Sequence, residues 1–274
     1  MNKVALVTGA SAGIGQATAL RLASMGITTY AAARRLDRME HLKEHGIRVL
    51  PLDLTSEDSI WECSQQIGPI DILINNAGYG SYGAIEEVPM VEARRQLEVN
   101  LLGLASLTQL VIPHMREQRW GKIINVTSVG GLQAGPYGGW YHATKYAVEG
   151  LSSSLRQELR PFGVDVILIR PGAILTEWGD IAAESLLKTS GQGPYNRAAQ
   201  ALHRLFTGPQ IRNLAGSPDD IAEVIEKAIT ARCPSSAYTA PREARLMVLL
   251  SKLAGSDRIR DGLTRALMGL PSRM

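Results

Sequence analysis

The sequence predicts an α/β protein built on one doubly wound parallel sheet with helices on both faces, and three observations carry that expectation. Short runs of strand-type residues recur along the chain, and a stretch of helix length follows nearly every one. Several of these runs are apolar almost throughout, as in strands buried on both faces, and do not alternate as a half-wet sheet would. A glycine-rich turn, Thr8 to Gly15, stands between the first strand and the first helix.

The first strand is read at Val4 to Val7, with a helix over about 13 to 25 after the glycine turn. Thr28 to Ala33 forms the second strand, followed by a helix over 36 to 45, a third strand at Val49 to Leu52 and a helix over 56 to 67. Ile70 to Ile74 precedes a long helix over 89 to 118, Lys122 to Val126 precedes one over 139 to 160, and Val164 to Ile169 is the sixth strand. In the 139 to 160 helix, Ala147, Leu151, Leu155 and Leu159 recur every four residues and are read as its inner face. Pro161 and Gly163 end that helix.

Beyond Pro171-Gly172 the pattern weakens. Residues 173 to 216 mix Ile181, Leu186, Leu187, Leu202, Leu205 and Phe206 with the break Gly191-Gln192-Gly193-Pro194. So long an insertion in an α/β domain reads as a substrate lid. Ser217 then caps a further helix, with Pro218 at its first position. With no linker, repeat or shift in composition, the expectation is one domain over 1–274. Within it, 1–178 is the cofactor and catalytic core, 173–216 the helical lid and 217–274 a helical C-terminal part.

Composition narrows the function classes. The chain has 274 residues, 45% of them hydrophobic, and a net charge of only +3, which excludes a disordered chain. Cys63 and Cys233 stand far apart, without the clustered Cys and His of a zinc site, so no metal is expected. Val4 to Val7 is four residues, shorter than the roughly 7 to 15 of a secretion signal's core. The longest uninterrupted apolar candidate toward the C-terminus, Leu246 to Leu250, is five residues, far below the ~18 to 20 of a membrane span. A cytoplasmic protein is expected.

Glycines at 9, 13 and 15 allow a tight turn and let backbone N–H groups approach a pyrophosphate at a helix N-terminus, where negative charge is favoured. The second strand ends in Ala31-Ala32-Ala33 and runs into Arg34-Arg35. An NAD-selective site usually has a carboxylate there. Two arginines instead offer charge and planar donors to a 2′-phosphate, so NADP(H) is expected over NAD(H).

Tyr141 and Lys145 fall at i and i+4, on one helix face. A lysine cation beside a phenol favours the phenolate, and the pair is expected to serve proton transfer. Ser128 lies 13 residues before Tyr141, just past a strand and hence at the carboxyl edge of the sheet, where open α/β folds bind ligands. His114 and His142 are expected to be bystanders.

TGASAGIG at 8 to 15, Asp53, Asn75-Asn76-Ala77-Gly78, Asn100, Ser128, the Tyr141/Lys145 pair and Pro171-Gly172-Ala173-Ile174-Leu175-Thr176 follow one another in the order of the short-chain dehydrogenase/reductase family, which the chain resembles over residues 3 to about 178. The resemblance implies a Rossmann fold and metal-free hydride transfer. It makes Tyr141 the acid in reduction and the base in oxidation, with Lys145 lowering its pKa and holding the nicotinamide ribose. Ser128 would bond the substrate oxygen, and Asn100 would hold a water linking Lys145 to solvent. Gly9, Ser11, Gly13, Ile14 and Gly15, with Arg34 and Arg35, would bind the cofactor's phosphates. Asp53 would meet the adenine edge. Asn76, Ala77, Gly78, Pro171, Gly172, Ile174 and Thr176 would line the remainder. His142 departs from the small residue that commonly follows the family's tyrosine.

Tyr137, Trp140, Trp178 and the apolar lid surround the motif positions, similar to the branch of hydroxysteroid and retinol dehydrogenases and acyl-dihydroxyacetone-phosphate reductases. A bulky apolar ketone or alcohol, steroid-, retinoid- or lipid-like, is the expected substrate. The competing class is a non-catalytic NADP(H)-sensing or scaffold protein on the same fold, a class that commonly lacks the Tyr or the Lys. Residues 231 to 274 carry eight basic and three acidic residues. Beside Leu246 to Leu250 this gives a basic amphipathic end, read first as a solvated helix face or a dimer contact and second as a peripheral membrane contact on anionic lipid. Basic residues without interleaved aromatics argue against nucleic acid. By analogy of fold, a homodimer or homotetramer built on the long helices is expected.

Overall fold

The computed structural model describes residues 3–253 and 256–267. Its centre is a sheet of seven parallel strands: β1 (Val4–Thr8), β2 (Thr28–Ala33), β3 (Arg48–Pro51), β4 (Ile72–Asn75), β5 (Gly121–Val126), β6 (Val164–Pro171) and β7 (Ala237–Ala240), in the order β3-β2-β1-β4-β5-β6-β7. Successive side chains leave a strand on opposite faces. Ala5, Val7, Ile72, Ile74, Ile124, Ile167 and Ile169 therefore enter one core, while Leu6, Leu73, Ile123 and Val166 enter the other. That two-sided burial is why these strands read as continuous apolar runs.

The first core is closed by α1 (Gly13–Ser24) and α9 (Pro218–Thr230), through Ala19, Leu22, Ile221 and Ile225. The second is closed by α2 (Glu57–Ile67), α4 (Gly103–Glu117) and α5 (Gly139–Leu159), through Ile60, Leu107, Val111, Met115 and Leu159. Ser217 caps α9 as expected, in a capping box: its hydroxyl accepts the Asp220 N–H at 3.1 Å, and Asp220 Oδ2 accepts the Ser217 N–H at 2.7 Å.

Four expectations are revised. The segment expected as a helix over 36 to 45 is a 3-10 helix, Asp37–His45. The long helix over 89 to 118 is α3 (Met90–Leu97) and α4 joined by a π turn, Glu98–Leu102, with Asn100 at its middle. The inner face of α5 runs through Thr144, Lys145, Val148, Ser152 and Leu159, and Leu151, expected inside, is exposed. Polar Thr144, Lys145 and Ser152 take much of the buried stripe, which hides it from a search for apolar periodicity. Finally, β7 lies in the part expected to be helical; its four residues pair with β6 from Leu168↔Ala237 to Pro171↔Ala240.

The lid comprises α6 (Glu177–Ser190), α7 (Asn196–Thr207) and α8 (Pro209–Leu214). The C-terminal part continues with α10 (Arg242–Leu253) and α11 (Asp257–Leu267), where Leu246, Leu249 and Ile259 are exposed. In the basic apolar segment named from the sequence, the side chains of Met247 and Leu250, and Arg273 altogether, lie outside the described residues. Among the described residues no helix is long and apolar enough to cross a membrane.

Candidate active site

The strand order reverses between β1 and β4, so the crevice above their carboxyl ends is the natural ligand site. At its floor β1 runs into the glycine turn, where Gly9 (φ +67°) and Gly13 (φ +56°) adopt left-handed backbone. A Cβ on Gly9 would stand 2.8 Å from Ala77 Cα, and one on Gly13 2.9 Å from Thr176 Cγ2. The turn is thus packed between the loop after β4 and the start of the lid. Thr8, not foreseen as a site residue, makes the joint: its hydroxyl accepts the N–H groups of Asn76 (3.1 Å) and Ala77 (3.0 Å), while Asn76 Nδ2 donates to Thr8 O at 2.9 Å. Ala12 caps α1 without a side-chain hydrogen bond, and no acid stands in the first turn. Backbone donors at a helix N-terminus, bare of carboxylates and aimed into the crevice, suit a cofactor's pyrophosphate.

The two arginines after β2 part company. Arg35 donates to Ser11 Oγ at 3.2 Å and pairs with Glu177 Oε2 at 3.2 Å. Arg38, one 3-10 turn on and not singled out from the sequence, bonds the other oxygen of Glu177. Arg34 instead acts on Asp53. Burial alone would raise that carboxyl, but the Thr55 N–H (2.9 Å) and hydroxyl (2.8 Å), with Arg34 and Arg95, hold it below the ordinary range. All three members of the Arg35–Glu177–Arg38 cluster are near half exposed, and such pairs contribute little stability. An incoming phosphate can therefore replace the carboxylate between two guanidinium groups at small cost.

Between these ends lie the residues expected to serve proton transfer. Tyr141 and Lys145 share the buried face of α5, Lys145 Nζ 5.9 Å from the centre of the tyrosine ring. Nζ donates to Val126 O at 3.0 Å, at the end of β5. Burial pushes the Tyr141 phenol up to about 12, against a hydrogen bond with Ser128 that pulls it down. Burial likewise lowers the Lys145 ammonium to about 8, opposed by Glu149. The sequence expectation that the lysine charge governs the phenol is thus outweighed by desolvation. Glu149 is itself fixed: it accepts Thr127 Oγ1 at 2.7 Å and both Arg170 Nε (2.9 Å) and an Arg170 terminal nitrogen (2.7 Å).

The π turn serves Asn100, consistent with the frequent use of such turns at functional sites. Asn100 Oδ1 accepts the Tyr79 N–H at 3.0 Å; its Nδ2 donates to Tyr79 O at 2.8 Å and to Thr144 Oγ1 at 3.2 Å. Its amide thus ties the loop after β4 to α5, leaving Oδ1 3.1 Å from where a Gly78 Cβ would be. Pro171 ends β6 beside Ala240, and Gly172 donates to Ala240 O at 2.8 Å and meets Ala244 of α10. Ile174 bridges Gly216 and packs on the core. Thr176 caps α6 through its hydroxyl.

The lid lies directly on Tyr141. Tyr82, Ala182, Leu186, Ala199 and Leu202 bury it, with Tyr137, Trp178, Leu187, Leu205 and Phe206 around them. Ring centres of Tyr141 and Trp178 are 5.0 Å apart, those of Tyr82 and Phe206 5.3 Å. Ile181, expected on this face, is exposed, and Trp140 is not part of the cluster. Tyr82 carries no local sequence signal; only the packing reveals it. Among the described residues no group of His, Cys, Asp or Glu converges as metal ligands would.

Comparison with known proteins agrees with this geometry. The short chain dehydrogenase family matches residues 3–185. A 3-ketodihydrosphingosine reductase of Bacteroides thetaiotaomicron is 39% identical over 182 residues, covering 65% of this chain and 66% of that protein. An NADPH-dependent 3-dehydrocapnine reductase of Ornithobacterium rhinotracheale is 33% identical, covering 70% and 71%. The closed form of a serine dehydrogenase complexed with NADP+ superposes with a TM-score of 0.73 at 27% identity, over 86% of this chain and 94% of that one. Oxidoreductase chemistry with a nicotinamide cofactor and a small-molecule substrate follows from these matches and from the crevice that fits such a cofactor. The chain belongs to the short-chain dehydrogenase family.

Proposed function

We propose that the protein is an NADP(H)-dependent oxidoreductase that interconverts a bulky apolar ketone or aldehyde with its alcohol. The observation that carries the reading is the position of Tyr141, at once one turn from Lys145, bonded to Ser128 and enclosed by the aromatic and aliphatic face of the lid. A polar substrate would lose its hydration among Trp178, Leu186, Leu202 and Phe206 without recompense, whereas an apolar one replaces their mutual contacts with its own. The relatives named as a 3-ketodihydrosphingosine reductase and an NADPH-dependent 3-dehydrocapnine reductase support reduction of a carbonyl. Arg35 and Arg38, with no carboxylate of the second strand's end beside them, support the 2′-phosphate form of the cofactor.

A bound nicotinamide supplies the hydride. The chain's own residues do the rest: Ser128 and Tyr141 hold the substrate oxygen, and Tyr141 gives it a proton in reduction or takes one in oxidation. Lys145, with Gly78 and Asn100 close by, holds the ribose side and stabilises the phenolate left when the proton has gone. Gly9, Gly13, Ile14, Gly15 and Ser11 take the pyrophosphate, and Asp53 with Arg34 the adenine side. Trp178 and Phe206 exclude water once the lid is shut. Exposed Leu102, Leu110 and Leu151 on the two long helices support assembly with a second copy, and Leu246, Leu249 and Ile259 beside Arg242, Arg245 and Arg258 support lipid contact at the basic end.

Tyr141→Phe removes only the proton carrier. Turnover is expected to fall by about a thousandfold or more, within the scale of acid–base and positioning effects, while NADPH affinity stays within about threefold. Retained turnover in that variant contradicts the assignment.

A further inference from the structure

His142, set aside from the sequence as a bystander, has both ring nitrogens engaged. Nδ1 lies 2.9 Å from the Gly130 carbonyl oxygen, and Nε2 accepts the Gly135 N–H at 3.0 Å. A carbonyl only accepts and a backbone N–H only donates, so the ring is held as the neutral tautomer with its proton on Nδ1. Gly130 in turn donates its own N–H to Ser128 Oγ at 3.0 Å. Ser128 bonds the Tyr141 phenol, and Tyr141 is the covalent neighbour of His142. The bonds close a ring that runs through both reacting hydroxyls. It has little slack: a Cβ on Gly130 would stand 3.0 Å from His142 Nδ1 and 3.3 Å from Ser128 Oγ.

We propose that His142 is a positioning residue whose neutral imidazole clamps the loop over 129–135 to α5 and so sets the direction of the Ser128 hydroxyl toward the substrate oxygen. Its kinetic consequences rest on the oxidoreductase reading; the clamp itself does not. Protonating Nε2 would set one N–H against another, and turning the ring would forfeit Gly130, so the cation cannot keep both bonds. Burial disfavours that cation, against the Gly130 bond that favours it, and the net pKa lies below the ordinary histidine value. The titratable groups around the ring are phenols, Tyr141 on its own helix and Tyr82, which meets it at Gly138; burial keeps both protonated. Farther along the same loop, Arg265 and Glu87 act on Tyr137 with opposite sign. Lys145, a turn along α5, is directed to Val126 O. The clamp is therefore whole at neutral pH and is lost as pH falls through the lowered pKa.

Two variants of the full chain test this, assayed with NADPH and an apolar ketone. In His142→Ala, kcat at neutral pH is expected to fall about ten- to a hundredfold while NADPH affinity is unchanged, since a misdirected hydroxyl costs rate and not cofactor binding, and the gap to the native chain should close as pH falls through the lowered histidine pKa. In His142→Gln the amide can donate to Gly130 and accept from Gly135 without titrating, so most of the neutral-pH kcat returns and the acidic loss of kcat disappears. Independently of turnover, imidazole nitrogen NMR should show the Nδ1-protonated tautomer with a pKa below 6.5, and Gly135 N–H exchange should be slow in the native chain and fast in His142→Ala. An unchanged kcat and pH profile in His142→Ala, or an Nε2-protonated ring, overturns the clamp. A native chain that turns over no carbonyl yet shows the expected spectrum overturns the oxidoreductase reading and leaves the clamp standing.

Discussion

At the Tyr141 and Lys145 side chains, one helical turn apart, burial acts in opposite directions on the two charges. It holds the phenol protonated, up to about 12, and brings the ammonium down to about 8. Reduction needs a phenol that can give a proton and a lysine cation that receives its charge, so its kcat is expected to hold near neutrality and decline as pH rises through about 8. Oxidation needs the phenolate, which burial opposes up to about 12, and should rise as pH climbs toward that value. Parallel pH profiles of kcat in the two directions check this, and profiles that rise or fall together contradict it. The spacing of Tyr141 and Lys145 made the pair legible in the sequence, because i and i+4 share a helix face whatever surrounds them. Their pKa values were not legible, since desolvation comes from Tyr82, Trp178 and the lid, distant in the chain. The partners of His142 were not legible either: Gly130 and Gly135 offer only backbone groups, which any residue type supplies.

Among the elements, what the sequence disclosed best were strands buried on both faces and turns that demand glycine, because each leaves a mark independent of context. The six strands named from apolar runs are all present, and Ser217 and Pro218 open α9 as read. β7 was missed because Ala237–Ala240 has only four residues and little apolar content; its pairing with β6 makes it a strand. The α5 stripe was read only in part: Leu155 and Leu159 pack on the core, but Leu151 is exposed and the buried side carries Thr144, Lys145 and Ser152, polar residues whose partners lie on neighbouring elements. Glu177, at the first turn of α6, joins that helix to Arg35, just after β2, and to Arg38 in the 3-10 helix that follows. Replacing Arg35 and Arg38 together with Ala is expected to raise the KM for NADPH about tenfold or more and to change that for NADH by less than about threefold, charge-assisted bonds to a phosphate contributing on that scale. Initial rates with the two cofactors measure it; equal effects on both would assign the 2′-phosphate elsewhere.

Taken whole, the molecule carries its glycine turn and the Tyr141–Lys145 pair along the carboxyl edge of one sheet, and under the proposed function the helices that follow β6 set substrate selectivity. Leu102 of the π turn, Leu110 of α4 and Leu151 of α5 are exposed apolar side chains. Leu110→Asp with Leu151→Asp should convert an oligomer to monomer in sedimentation velocity while the far-ultraviolet spectrum is unchanged; an unaltered sedimentation coefficient would contradict that interface. The division of labour in the chain also says where one experiment bears hardest. Turnover of a panel of carbonyls, followed by NADPH absorbance and repeated with NADH, joins the arginine cluster, Tyr141 and the lid in a single readout. The account predicts that long-chain, steroid or retinoid carbonyls are reduced with NADPH at a kcat/KM well above that with NADH; turnover confined to small sugars or polar keto acids, or indifferent to the 2′-phosphate, would contradict it.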